Sequence, residues 1–156
     1  MLNQYERLYM NSLISGNLFY ADVSGSQSDI VLSGKSDVLF IGRDDTWYPV
    51  LSEALRSVAR VSRIAPERLR NRIKGKFFKI ILLDTLDLQR GEIETSLRTL
   101  KRIYKDAQII VVSSSVSWKE ARNAFRAGAT DHITKRFNAT KLRDDLLPYL
   151  SPTSEA

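Results

Sequence analysis

The sequence contains no cysteine and a single histidine, His132. The first absence excludes structural disulfides and thiolate metal sites. The two together leave too few ligands for a zinc centre. Apolar runs such as Ile80 to Leu83 are far too short to span a bilayer. The N-terminus lacks a basic region followed by an apolar stretch, so no secretory signal is read there. No internal repeat is found. These absences lead to the expectation of a soluble, cytoplasmic protein.

What is present is ordinary for one globular domain. Hydrophobic residues make up 43% and charged residues 27% of 156 residues, enough to bury a core without staples. The net charge is +6 and unevenly placed. From Ala59 to Lys79, eight basic side chains stand against one acid, Glu67. Such a run reads as a solvated face, with anion binding as the sharper alternative. No aromatic residue interleaves with Arg68 to Lys74, so a base-stacking platform is not indicated.

Residues 1–20 carry Leu2, Tyr5, Leu8, Tyr9 and Leu13 at helical spacing, which predicts an amphipathic helix. Its stripe needs cover, either from this chain or from a second copy, because a short isolated helix is marginal in water. A homodimer using this segment is the favoured expectation. Residues 21–36 are rich in Ser, Gly and Asp and read as a linker, with a short strand possible at Ile30 to Leu32. Residues 151–156 read as a tail, a linker start or a terminus.

From residue 37 to 150 the periodicity alternates between strand and helix five times. Strands are predicted at Val38 to Ile41, Val58 to Ile64, Phe78 to Leu83, Ile109 to Val112 and His132 to Thr134. Helical patterns fall between and after them, including one from Pro66 to about Lys74. Trp47 and Trp118 fall near helix starts, as packing or interface residues. Fully apolar strands imply burial on both faces, and the alternation implies parallel crossovers. The expected fold is α/β: a doubly wound five-stranded parallel sheet of order 2-1-3-4-5, with helices on both faces and an N-terminal helical extension. In such sheets function sits beyond the carboxyl ends of the strands.

Asp84 ends the strand Ile80 to Leu83. Ser113 ends Ile109 to Val112, and Lys135 follows Gly128 to Thr134. This carboxylate, hydroxyl and ammonium, with their spacing, resemble the receiver domain of two-component response regulators over residues 37–150. The resemblance implies Asp84 as the phosphoacceptor position, Ser113 and Lys135 as pocket residues, and His132 as the switch position. It implies Mg2+ if phosphorylation is retained, with Asp84 and Asp44 as candidate ligands. It also implies a histidine kinase or another signalling protein as partner, no enzyme in the ordinary sense, and nucleic acid only through a separate output domain controlling transcription.

The departures are equally specific. Gly42 and Arg43 stand where the family carries its acidic pair, and Asp44 and Asp45 follow. Either a bulge returns Asp44 or Asp45 to the pocket, or Arg43 projects towards Asp84 and neutralises it. Weak or absent Mg2+ binding is expected, with Gly42 supplying no ligand and Arg43 adding repulsion. Arg136 replaces the proline that follows the family's lysine. Leu86 to Gly91 replaces its Met-Pro-Gly turn. The reading is a divergent receiver, or pseudo-receiver, that acts through protein–protein interaction with altered or lost phosphorylation. A functional phosphoacceptor is the alternative. A flavodoxin-like nucleotide or flavin binder is disfavoured, because Gly42 to Thr46 is acidic and poor in glycine.

Overall fold

The two most apolar segments of the sequence take the middle of the sheet. The computed structural model describes residues 36–69 and 77–151. The strands are β1 (Ser36–Ile41), β2 (Ala59–Ile64), β3 (Ile80–Asp84), β4 (Gln108–Ser113) and β5 (Asp131–Thr134). All pairings are parallel, in the order β2-β1-β3-β4-β5. The helices are α1 (Tyr48–Leu55), α2 (Arg90–Ile103), α3 (Trp118–Ala127) and α4 (Ala139–Leu150). The expected sheet order, with helices on both faces of the sheet, is thus found. The N-terminal helix, the linker, its strand at 30–32 and the residues 152–156 lie outside the described residues.

Alternation along the strands builds two cores. Leu39, Ile41, Ile81, Leu83, Ile109 and Val111 face α2 and α3, with Leu97, Leu100 and Ala124 closing over them. Val38, Phe40, Ile80, Leu82, Ile110 and Val112 face α1 and α4, with Leu51, Leu55, Leu142 and Leu146. Burial on both faces is why Ile80 to Leu83 shows no polar alternation. Each such side chain contributes about 1.5–3 kcal/mol when fully buried.

Helix boundaries follow local chemistry. Ser117 and Glu120 form a capping box at α3: the Glu120 N–H donates to Ser117 Oγ at 3.2 Å, and the Ser117 N–H to Glu120 Oε2 at 3.3 Å. Gly128 ends α3 at φ 112°, a left-handed conformation suited to glycine. Asn138 Oδ1 accepts from the Lys141 N–H at 3.0 Å and starts α4. Lys79 closes the other end of that helix, its Nζ donating to the carbonyls of Leu150 at 2.7 Å and Ser151 at 3.2 Å. After β2 the chain makes a 3-10 turn at Pro66–Arg68, where the sequence suggested a longer helix. The remainder of that predicted helix and of the basic run, residues 70–76, lies outside the described residues.

Candidate functional site

β3 and β5 end at the same edge of the sheet, with β4 between them. There Asp84 and Lys135 meet directly. Lys135 Nζ lies 2.8 Å from Asp84 Oδ2 and 2.7 Å from Asp44 Oδ2. The side chains of Lys135 and Asp84 are 2% and 1% exposed, so water screens this contact little. The bond to Asp44 is a hydrogen bond, whereas the contact with Asp84 Oδ2 is out of hydrogen-bond alignment and is Coulombic.

The loop after β1 explains how Asp44 arrives. Gly42 continues the strand, its N–H donating to Ile64 O at 3.1 Å. A Cβ there would meet Asp84 Cβ at 2.7 Å and Phe40 Cζ at 2.8 Å, so only glycine allows this approach. The chain then turns, and Asp44 Oδ1 accepts the N–H groups of Thr46 and Trp47, both at 3.0 Å. That Asx-type turn aims the other carboxylate oxygen at Lys135. Burial by itself would raise the Asp44 pKa. The hydrogen bonds from Lys135, Trp47 and Thr46, with the ammonium's charge, outweigh it and hold the group below its ordinary value.

Arg43 and Asp45 are not in the pocket. Arg43 is half exposed and pairs with Glu67. Asp45 points to solvent and pairs with Arg63 at 2.7 Å. The expectation that Arg43 faces Asp84 is therefore corrected: the neighbouring cation is Lys135, and the returning acid is Asp44. Val38, Phe40 and Gly42 alternate on the side of Asp84 and Leu39 and Ile41 on the other, so position 43 falls on the face away from Asp84.

Trp47, missed as a site residue, is fully buried beside this ion group. Its Nε1 donates to Arg136 O at 3.0 Å, and its ring centroid lies 5.8 Å from Lys135 Nζ. It therefore anchors the loop that carries Lys135. Its place immediately before an apolar helical stripe was the available signal. Arg136 reaches Asp145 on α4.

Ser113 shares this end of the sheet but turns to the opposite face. Its strand alternates Ile109, Val111, Ser113 towards α2 and α3, whereas Ile80, Leu82, Asp84 alternate towards α1 and α4. Ser113 Oγ donates to Ser115 O at 2.7 Å and lies 3.0 Å from His132 Nε2. A hydroxyl has one proton, and it goes to the carbonyl. His132 Nε2 must therefore donate, leaving Nδ1 as a buried, bare acceptor with no hydrogen-bond partner. Burial disfavours the imidazolium and holds the His132 pKa below its ordinary 6.5, against the opposing pull of Glu120 and Asp131.

A base with a lowered folded pKa stabilises the fold fully above its unfolded pKa. That contribution is lost as pH falls, because the unfolded chain takes a proton the folded one refuses. The urea midpoint should fall as the pH is lowered below about 6.5. His132→Gln should flatten this slope; equal slopes in both proteins would assign it to other groups.

The chemistry of the donors does not fit a resident Mg2+. Asp44 Oδ2 and Asp84 Oδ2 are held by the ammonium. Asp44 Oδ1 accepts two backbone N–H groups, and Asp84 Oδ1 accepts the Leu86 N–H at 3.0 Å. A dication would compete with the Lys135 ammonium for the same two oxygens. Among the described residues no group of three His, Cys, Asp or Glu side chains is placed to hold a metal.

No family model matches the sequence, and no curated protein matches it. Solved structures do. A response regulator from Thermotoga maritima superposes with a TM-score of 0.67, at 17% identity over 76% of this chain and 99% of the other. A response regulator from Burkholderia pseudomallei, with a phosphorylated aspartic acid, calcium ion and citrate, gives 0.61 at 21% identity over 75% and 67%. A putative pilus assembly protein from Burkholderia thailandensis gives 0.62 at 18% identity over 76% and 99%. The chain has the fold of response-regulator receiver domains, at an identity that leaves its chemistry to its own residues. Among the described residues, no helix is long and apolar enough to cross a membrane.

Proposed function

We propose that this receiver fold serves as a signalling module that works through protein–protein contact and takes no phosphoryl group at Asp84. The observation that carries this reading is the double ion pair of Lys135 with Asp84 and Asp44. Phosphoryl transfer to a carboxylate needs a nucleophilic oxygen and a divalent cation that offsets charge on the transferring group. Here the ammonium covers the nucleophile, and both oxygens that would ligate a metal are its partners. A signalling protein or kinase-like partner, rather than a small molecule, is the ligand class that suits the fold. The Ser113–His132 pair would hold the switch position in one arrangement.

One observation favours the alternative, a functional phosphoacceptor. Asp84 Oδ2 keeps a lone pair outside any hydrogen bond. If Lys135 swings aside, that oxygen is the nucleophile. The protein should be treated with acetyl phosphate, and separately with beryllofluoride, each with millimolar Mg2+. The expected result is no phosphoryl adduct by intact mass and no amide shifts at Leu86, Ser113 or Lys135. An adduct that disappears in Asp84→Asn would establish the alternative.

A further inference from the structure

Arg63 belongs to the basic run that reads as a solvated face, yet its guanidinium is turned to the β1–α1 loop. It lies on the edge strand β2, opposite Phe40 in the register with β1, and its side chain is 26% exposed. It shares a strand face with Val61, where an apolar residue would serve as well for packing. Arg63 makes three kinds of contact instead. Its Nε donates to Gly42 O at 3.0 Å. A terminal nitrogen lies 2.7 Å from Asp45 Oδ1. The planar group also stands 4.9 Å from the centre of the Tyr48 ring and 5.9 Å from that of Phe40.

The loop contacts fall on both sides of Asp44. Gly42 precedes it, Asp45 follows it, and Tyr48 opens α1. The Asx-type turn sets the direction of the Asp44 carboxylate. Where that turn stands on the sheet is set by its flanks, with Trp47 bonded to Arg136 O on one side and Arg63 on the other. Asp45 is 88% exposed, so its ion pair contributes little. Gly42 is buried, so the bond to its carbonyl and the cover over Tyr48 carry the clasp.

We propose that Arg63 is a positioning residue for the buried ion group: it clasps the β1–α1 loop so that Asp44 stays on Lys135, and so decides that the pocket holds the ammonium rather than a divalent cation. Arg63 acts through the loop, since the atoms it touches belong to Phe40, Gly42, Asp45 and Tyr48. A lysine could reach one of these contacts at a time, whereas the planar fork makes them together. Once the loop slackens, Asp44 Oδ2 leaves the ammonium and is open to water or a cation.

This inference rests on the reading of the pocket as closed to phosphoryl transfer. The test uses the full chain and three substitutions. Arg63→Met keeps the stem over the rings and removes the polar contacts. Arg63→Lys keeps the charge and loses the fork. Asp44→Asn keeps the turn acceptor and removes the charge that faces Lys135. In urea titrations, Arg63→Met and Asp44→Asn together should cost less than the sum of their separate costs, because the first already takes Asp44 off Lys135. The cycle is repeated with Arg63→Lys, with the same expected result, so a poorly folding methionine variant does not remove the test. Both Arg63 variants should also bind Mg2+ about tenfold more tightly than the parent, or better, read from the amide shift of Leu86. Additive costs in both cycles, or the parent's Mg2+ response in both variants, would overturn the inference. So would an Arg63→Lys protein that matches the parent throughout, since charge alone would then suffice. A phosphoryl adduct on Asp84 of the parent would sink the reading of the pocket and leave the additivity result standing, so the two failures are distinct.

Discussion

Replacing Lys135 with methionine will cost about 3–5 kcal/mol of stability at neutral pH, the usual consequence of removing one partner from a buried ion pair. The volume is nearly kept, so the loss is electrostatic. Asp84 is left buried with no counter-charge, facing Asp44. Two carboxylates so placed raise each other's pKa, and the folded state then binds the extra proton. The variant's stability should therefore fall as pH rises from 5 to 7. The check is a set of urea titrations of both proteins across that range. The same experiments with millimolar Mg2+ should stabilise the variant and not the parent, because removing the ammonium frees both ligating oxygens. A loss below about 1 kcal/mol, independent of pH, would make Lys135 a surface-like ion pair.

Restoring an acid at position 42 should not build a metal site. The Cβ of Gly42→Asp would lie 2.7 Å from Asp84 Cβ and 2.8 Å from Phe40 Cζ, and Phe40 is fully buried. Overpacking of this kind costs about 1–3 kcal/mol, and a third carboxylate beside one ammonium adds to it. Gly42→Ala separates the two contributions, since it carries the Cβ without the charge. The expected order of urea midpoints is parent, then Gly42→Ala, then Gly42→Asp. A Gly42→Asp protein as stable as the parent, with saturable Mg2+ binding by calorimetry, would mean that the loop relaxes into a working acidic pocket. Arg43→Asp is expected to do little, because position 43 faces Glu67 and solvent.

The sheet was legible in the sequence because Ile80 to Leu83 and Ile109 to Val112 are buried on both faces. That makes them unbroken apolar runs with a polar residue at each carboxyl end. The positions of Asp84 and Lys135 follow from parallel topology alone. The β1–α1 loop was not legible. Strand alternation puts Gly42, not Arg43, on the side of Asp84, and the Asx turn at Asp44 then brings the acid that reaches Lys135. Ser113 is a parity matter. Its place at a strand end was clear, but its turn towards His132 depends on the register between β4 and β5. The helix suggested from Pro66 began with a suitable first-turn proline, yet proline at the first turn also suits the short 3-10 turn found.

The ion pair at the carboxyl edge also has a regulatory meaning. Its counter-charge is part of the chain, so its effective concentration is set by the fold rather than by the surrounding medium. A pocket that awaits a metal and a phosphoryl donor responds to kinases and to metabolic state. Under the function proposed above, a pocket already neutralised by its own lysine takes no such input. On this reading, how much of the protein is present, and which partner it meets, carry the information that covalent modification carries in a switched receiver.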